Sequence, residues 1–164
     1  MKTTTRYSGK SGIYVCVTPV YGMRRLLNVI TPLLPPDFML DLDEAHCTLM
    51  YSRYHQPHQL IAVDVAEKGD RQFDAMVDSI KQWPGHDQKG YLVAALYSDD
   101  LQARHRHWLA TGAVHSFPTY EPHVTLASGY GSLPAATLKT INKAVQDANL
   151  RLAFGGENFE DIKE

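Results

Sequence analysis

Glu44-Ala45-His46-Cys47-Thr48-Leu49 and Glu121-Pro122-His123-Val124-Thr125-Leu126 are two copies of one short pattern, about half a chain apart. Each copy reads His-x-Thr-Leu, with a small or apolar residue between the polar pair. On a strand, alternate side chains share a face, so His46 and Thr48 point one way while Cys47 and Leu49 point the other. The same holds for His123 and Thr125 against Val124 and Leu126. A strand that buries one face and offers imidazole plus hydroxyl on the other is arranged for chemistry. Two such strands can hold two imidazoles on opposite sides of one phosphate. A single His-x-Thr is an ordinary strand feature, because Thr favours strands and His is often merely hydrogen-bonded; the repetition is what carries the functional reading. Glu44 and Glu121 each stand two before a His, on the side to orient it, although Pro122 points to an irregular entry at the second copy.

The rest of the chain supplies strands and helices around these copies. Gly12–Thr18 is dense in β-formers and reads as a strand, after a polar lead over Met1–Ser11 expected to be flexible. Val20, Met23, Leu26, Leu27 and Ile30 have the spacing of one helical face, ended by Pro32, with a loop at Pro35-Pro36. Leu60–Ala66 reads as a strand. Phe73–Trp83 fits a helix through Phe73, Met76, Val77 and Ile80, or a strand from Ala75 to Trp83, and the antiparallel order favours the strand. Pro84-Gly85 is a turn and Gly90–Tyr97 a strand. Ser98 has the character of an N-cap, with Asp99 and Asp100 where the helix dipole favours acid. Leu101, His105, Trp108 and Leu109 form the inner stripe of that helix, which ends at Gly112. Pro134 opens a third helix with Leu138, Ile141, Val145 and Ala148 inward. Leu150–Ile162 closes the chain in strand, with Gly155-Gly156 suited to a bulge, and Ser128–Ser132 reads as a mobile glycine-rich loop. The expectation is one α+β domain over residues 1–164. Two pseudo-symmetric lobes of antiparallel sheet, helices packed outside, face each other across a central cleft carrying the two His-x-Thr strands.

Composition narrows the class. The chain has 164 residues, 44% hydrophobic and 21% charged, with 16 basic against 18 acidic side chains and a net charge of −2. That balance argues against a groove tracking long nucleic acid, which needs a basic surface, and leaves room for a small phosphate-bearing ligand. Two cysteines, Cys16 and Cys47, make no disulfide framework. No apolar run has the length of a membrane span, and the first residues are too polar for a secretory signal. A cytoplasmic protein is expected.

Cleaving a ribonucleotide 3′–5′ phosphodiester needs a base for the 2′ hydroxyl proton, an acid for the departing 5′ oxygen, and donors to the phosphate oxygens. Imidazole, with a pKa of about 6.5, fills either proton-transfer role near neutrality. His46 and His123 are the candidate pair, with Thr48 and Thr125 as hydroxyl donors to the developing charge. The symmetric pattern leaves open which His is base. His46-Cys47-Thr48-Leu49 and His123-Val124-Thr125-Leu126 resemble the paired signatures of the two-histidine phosphoesterases. The fuller text His46-Cys47-Thr48-Leu49-Met50-Tyr51-Ser52-Arg53, with Pro122–Leu126, is similar to the phage anti-CBASS cyclic-nucleotide phosphodiesterases, which destroy second messengers of a bacterial abortive-infection defence. The likeness runs from Gly12 to near the C-terminus. It implies cyclic di- and trinucleotide substrates such as 3′,3′-cGAMP, linearised through a 2′,3′-cyclic phosphate, with neither metal nor other cofactor.

The same resemblance implies three substrate-binding positions. Tyr14 corresponds to an aromatic stacking residue. Phe117, six before His123, falls where the family has a Tyr and here lacks its hydroxyl. Glu157, after Gly155-Gly156, resembles a carboxylate accepting from a base amine. A Trp expected near the family's C-terminus has no match.

Other residues invite weaker readings. His55 and His58, His105 and His107, and nearby Cys47 do not complete a metal-ligand set. Arg53 is placed to meet a phosphate or, more plainly, solvent; Trp83 suits a turn anchor or a base stack. Three function classes follow: a cyclic-oligonucleotide phosphodiesterase; a processor of RNA ends or ADP-ribose cyclic phosphates using the same four residues; and a non-catalytic sponge that sequesters a nucleotide. The oligomeric state is open.

Overall fold

Residues 4–6, 12–53, 71–84, 90–130 and 132–162 are described by the computed structural model. The elements are β1 (Thr4–Arg6), β2 (Ile13–Tyr21), α1 (Met23–Ile30) with a 3₁₀ turn (Thr31–Leu33), β3 (Cys47–Ser52), β4 (Phe73–Trp83), β5 (Gly90–Tyr97), α2 (Asp99–Ala110), β6 (His123–Tyr130), α3 (Ala135–Ala148) and β7 (Arg151–Asp161). The strands lie in the order β1-β7-β2-β3-β6-β5-β4, and β4 also pairs with β7, so the sheet closes on itself. All pairings among the described residues are antiparallel except that of β1 with β7. Among the described residues the architecture is therefore α+β, a mostly antiparallel sheet with three helices. It is one continuous sheet where the sequence suggested two lobes, and each half of the chain contributes one of the adjacent signature strands, β3 and β6.

Alternation builds the interior. Along β4, Phe73, Ala75, Val77 and Ile80 are buried while Asp74, Asp78 and Lys81 face solvent, a period of two broken at a register shift between Val77 and Ser79. That periodicity decides for strand over helix in Phe73–Trp83. At the irregularity α3 stands in for a missing strand neighbour. Asn142 accepts from the Ile80 amide at 2.7 Å and donates to its carbonyl at 2.9 Å. Inward residues of the strands join Leu26 and Ile30 of α1, Leu101 and Trp108 of α2, and Ile141 and Val145 of α3 in one core.

Several expectations shift. β2 runs on to Tyr21, so Val20 lies in a strand and is exposed; α1 starts only after Gly22, whose φ of +94° suits glycine alone. Ser98 does cap α2, accepting from the Leu101 amide at 3.0 Å. Leu109 is 42% exposed, however, and the buried stripe of α2 contains Arg104 instead. The bulge in β7 is present: Cys16 pairs Asn158 and Thr18 pairs Gly155, leaving an extra residue on β7 beside Gly156 at φ +61°. β6 continues to Tyr130, so much of the stretch expected as loop is strand. Thr4–Arg6 pairs with Asn158–Glu160, so part of the expected flexible lead sits in the sheet. The expected strand Leu60–Ala66, along with His55, His58 and Gly85, lies outside the described residues.

Candidate active site

β3 and β6 meet at a single bridge, Cys47 opposite Val124. Both bridge residues, and Leu49 and Leu126 two further on, are fully buried. His46, Thr48, His123 and Thr125 are half-buried on the opposite face. The antiparallel register sets His46 against Thr125 and Thr48 against His123. The two imidazoles are then diagonal neighbours, with main chains roughly 7–8 Å apart by ordinary sheet geometry. His46 is close enough for its charge to depress the pKa of His123.

The two rings are held identically. Nδ1 of His46 donates to the Glu44 carbonyl at 2.8 Å, and Nδ1 of His123 donates to the Glu121 carbonyl at 2.8 Å. Each Glu two before a His thus orients it through main chain, not carboxylate. A proton fixed on Nδ1 leaves Nε2 as the atom for proton transfer in both rings. The environments differ. Burial lowers the His123 pKa from its ordinary 6.5, the Glu121 carbonyl opposes this, and the His46 charge lowers it again. Trp83 contributes the cover, its ring 4.3 Å from that of His123 at 66°.

Beside His123 opens a cleft of about 650 Å³, lined among others by Tyr14, Thr48, Trp83, Phe117, His123 and Thr125. His46 lines an adjoining hollow of about 420 Å³ with Asp41, Asp43 and Glu44, and Thr125 borders both. Of the residues expected from sequence, Tyr14 stands between the halves. Its hydroxyl is 3.2 Å from Thr48 Oγ1, its ring meets His46 edge-on at 6.1 Å, and burial raises its pKa beyond the ordinary range. Phe117 is 57% exposed at the rim, tilted against Tyr51 and His115. Glu157 is not at the cleft. It is buried on β7, its carboxylate taking Arg104 Nε at 2.6 Å and Nη2 at 2.7 Å, with Trp108 Nε1 at 3.3 Å. The correction has a simple cause: the bulge turns Glu157 into the core, where α2 supplies the guanidinium.

Beyond the bridge β3 and β6 part, and side chains take over as partners of β3. His105 Nδ1 donates to the Leu49 carbonyl at 2.7 Å, and Tyr120 donates its hydroxyl proton to the Thr48 carbonyl at 2.8 Å. The two rings stack at 4.0 Å. The Tyr51 amide donates to His115 Nδ1 at 3.3 Å, and Ser116 N–H donates to the Tyr51 carbonyl at 2.8 Å. An acceptor Nδ1 in a partly desolvated site is neutral, and the His115 pKa falls to about 4. Tyr51, His115 and Tyr120 line the cleft yet were missed from sequence; the only signal was aromatic density before the second His. Arg53 instead lies exposed over Tyr51, 5.8 Å from its ring. His105 is buried and His107 exposed, on different sides of α2. Among the described residues no cluster of three His, Cys, Asp or Glu is disposed to hold a metal, and no helix is long and apolar enough to cross a membrane.

The family model described as "Anti-CBASS protein Acb1" matches residues 11–164. The chain belongs to that family. It is 33% identical over 123 residues to the Anti-CBASS protein Acb1 of Yersinia phage phiR1-RT, covering 74% of each chain. It is 30% identical over 130 residues to the protein of that name from Salmonella phage S16, again 74% of each. A shorter likeness, 33% over 93 residues, links it to that of Enterobacteria phage T4, covering 56% of this chain and 55% of the relative.

Proposed function

We propose that the protein is a two-histidine phosphodiesterase that opens cyclic di- and trinucleotides, such as 3′,3′-cGAMP, at a 3′–5′ linkage. On this reading it acts in the host cytoplasm and counters the CBASS defence for which its relatives are named. The observation that carries the reading is the matched anchoring of His46 and His123, each Nδ1 on a carbonyl two residues earlier, across the bridge joining their strands. The lowered pKa of His123 favours its neutral ring, which suits a base, and the acid role then falls to His46.

His123 Nε2 takes the proton of the ribose 2′ hydroxyl, and the 2′ oxygen attacks phosphorus. The bond to the 5′ oxygen breaks as His46 Nε2–H protonates it. The product is linear, with a 5′ hydroxyl and a 2′,3′-cyclic phosphate. Thr48 and Thr125 hydroxyls donate to the non-bridging oxygens as charge builds. Tyr14 and Trp83 offer aromatic faces at the cleft, and stacking is typically worth about 1–3 kcal/mol per base. No step uses a metal ion.

The test is chromatography of cyclic dinucleotides incubated with the protein in excess EDTA. Linear products are expected, with turnover lowered about 10²–10⁴-fold in His46→Ala and in His123→Ala. A substrate lacking the 2′ hydroxyl at the scissile linkage is expected to bind and stay intact. Its rapid cleavage would make water the nucleophile and overturn the mechanism. Intact ligand recovered from denatured protein would instead make it a sponge, and cleavage confined to RNA ends would move it to the other enzyme class.

A further inference from the structure

Away from the cleft, β2, α1 and the α3–β7 junction border an open surface hollow of about 890 Å³, within the size range of small-ligand sites. Its lining includes Arg24, Arg25 and Arg151, the amides Asn28 and Asn149, and the Tyr21 ring, but no carboxylate. In a chain of net charge −2 that local balance is unusual. No carboxylate within the described residues pairs with any of the three guanidinium groups; Arg25 Nη2 donates to the Ala148 carbonyl at 3.2 Å, which fixes that side chain at the wall. Like charges gathered around one hollow repel, and an anion seated among them relieves that repulsion.

The packing that gathers them is specific. A Cβ on Gly22 would come within 2.1 Å of the Arg151 carbonyl oxygen, so only glycine lets the start of α1 lie against the start of β7. That approach brings Arg151 to the arginines of α1. Tyr21 is 69% exposed at the mouth. Tyr21 and Arg151 also border a second groove with Tyr97, where Asp74, Asp99 and Asp100 outnumber that one arginine and make phosphate unwelcome. The charge distribution therefore orients a ligand: phosphates towards α1, an aromatic base over Tyr21. Tyr21 lies seven residue steps along the strand from Tyr14, roughly 23 Å, so this hollow is remote from the cleft.

We infer a second binding site here, for a nucleotide carrying a chain of phosphates. Arg24, Arg25 and Arg151 hold the phosphates and Tyr21 stacks on the base; arginine suits this because its planar donors match phosphate oxygens. The inference does not depend on the catalytic reading.

Calorimetric titration of the whole protein with ATP, tripolyphosphate and adenosine at low salt tests it. ATP and tripolyphosphate are expected to bind at one site and adenosine not to. Arg24→Gln/Arg151→Gln should weaken both ligands at least tenfold, and Arg24→Lys/Arg151→Lys should restore part of the loss, with melting temperatures confirming intact folds. Tyr21→Ala should weaken ATP and spare tripolyphosphate. His123→Ala should change nothing beyond twofold. Absence of binding at millimolar ATP overturns the site, as does binding indifferent to the arginines or lost in His123→Ala, which would put ATP in the cleft. An equal effect of Tyr21→Ala on both ligands would overturn the stacking role.

Discussion

Glu157→Gln separates two roles that one carboxylate cannot share. As a ligand for a substrate base, Glu157 would be replaceable with little loss of stability. The structure instead buries it against Arg104 through two bonds of 2.6 and 2.7 Å, with both side chains almost fully enclosed. Removing one charge takes from the other its bidentate partner in a buried site, and breaking a buried ion pair typically costs about 3–5 kcal/mol. Gln keeps the shape and can still accept from Trp108 Nε1, now at 3.3 Å, so the loss isolates the charge. In a chain of this length about 1 kcal/mol moves the melting temperature by about 2–4 °C, giving a fall of roughly 6–20 °C. The double change Arg104→Met/Glu157→Leu removes both charges and should be less damaging than either single change. Urea unfolding at pH 7 of the four proteins measures this. An unchanged midpoint in Glu157→Gln, paired with weaker cyclic dinucleotide binding, would refute the core assignment and return Glu157 to the ligand.

Three further outcomes are expected. Trp83→Ala uncovers His123, whose pKa is lowered mainly by burial from 6.5; the acidic limb of kcat/KM, expected below pH 6.5 in the parent protein, should move up, and an unmoved limb would exclude His123 as base. His115 is neutral in the fold down to about pH 4 against an ordinary 6.5, so between those values the unfolded chain binds more protons. Stability should therefore be full above pH 6.5 and fall as the pH drops towards about 4, and His115→Asn, whose carbonyl can still accept from Tyr51, should flatten that slope in pH-resolved denaturant titrations. Tyr120→Phe deletes the bond to the Thr48 carbonyl and should cost about 1 kcal/mol of stability; calorimetry giving no loss would mean water replaces the hydroxyl.

The sequence carries local rules well and tertiary ones poorly. The alternation around His46 and His123, the Ser98 cap and the glycine bulge are set by neighbours in the chain, and all appear in the structure. Phe73–Trp83 was ambiguous because a bulge between Val77 and Ser79 breaks its period of two and mimics a helical stripe. Arg104 in the stripe of α2 was illegible because its partner lies 53 residues away, behind a bulge whose direction only the fold sets. The same applies to Tyr51, His115 and Tyr120, which reach the cleft through the parting of two strands. Glu44 and Glu121 show a subtler limit: position was legible, but the group that acts is the carbonyl every residue possesses.

The segment 113–120 has two jobs at once. It walls the cleft with His115, Phe117 and Tyr120, and through Tyr120, His115 and Ser116 it fastens the strand that follows His46. Swapping its residues to suit a different base therefore tugs on the reacting half of the molecule. A lineage altering its ligand repertoire would find those positions costly, and change at Trp83 or Tyr91, which line the wall from other strands, the cheaper route.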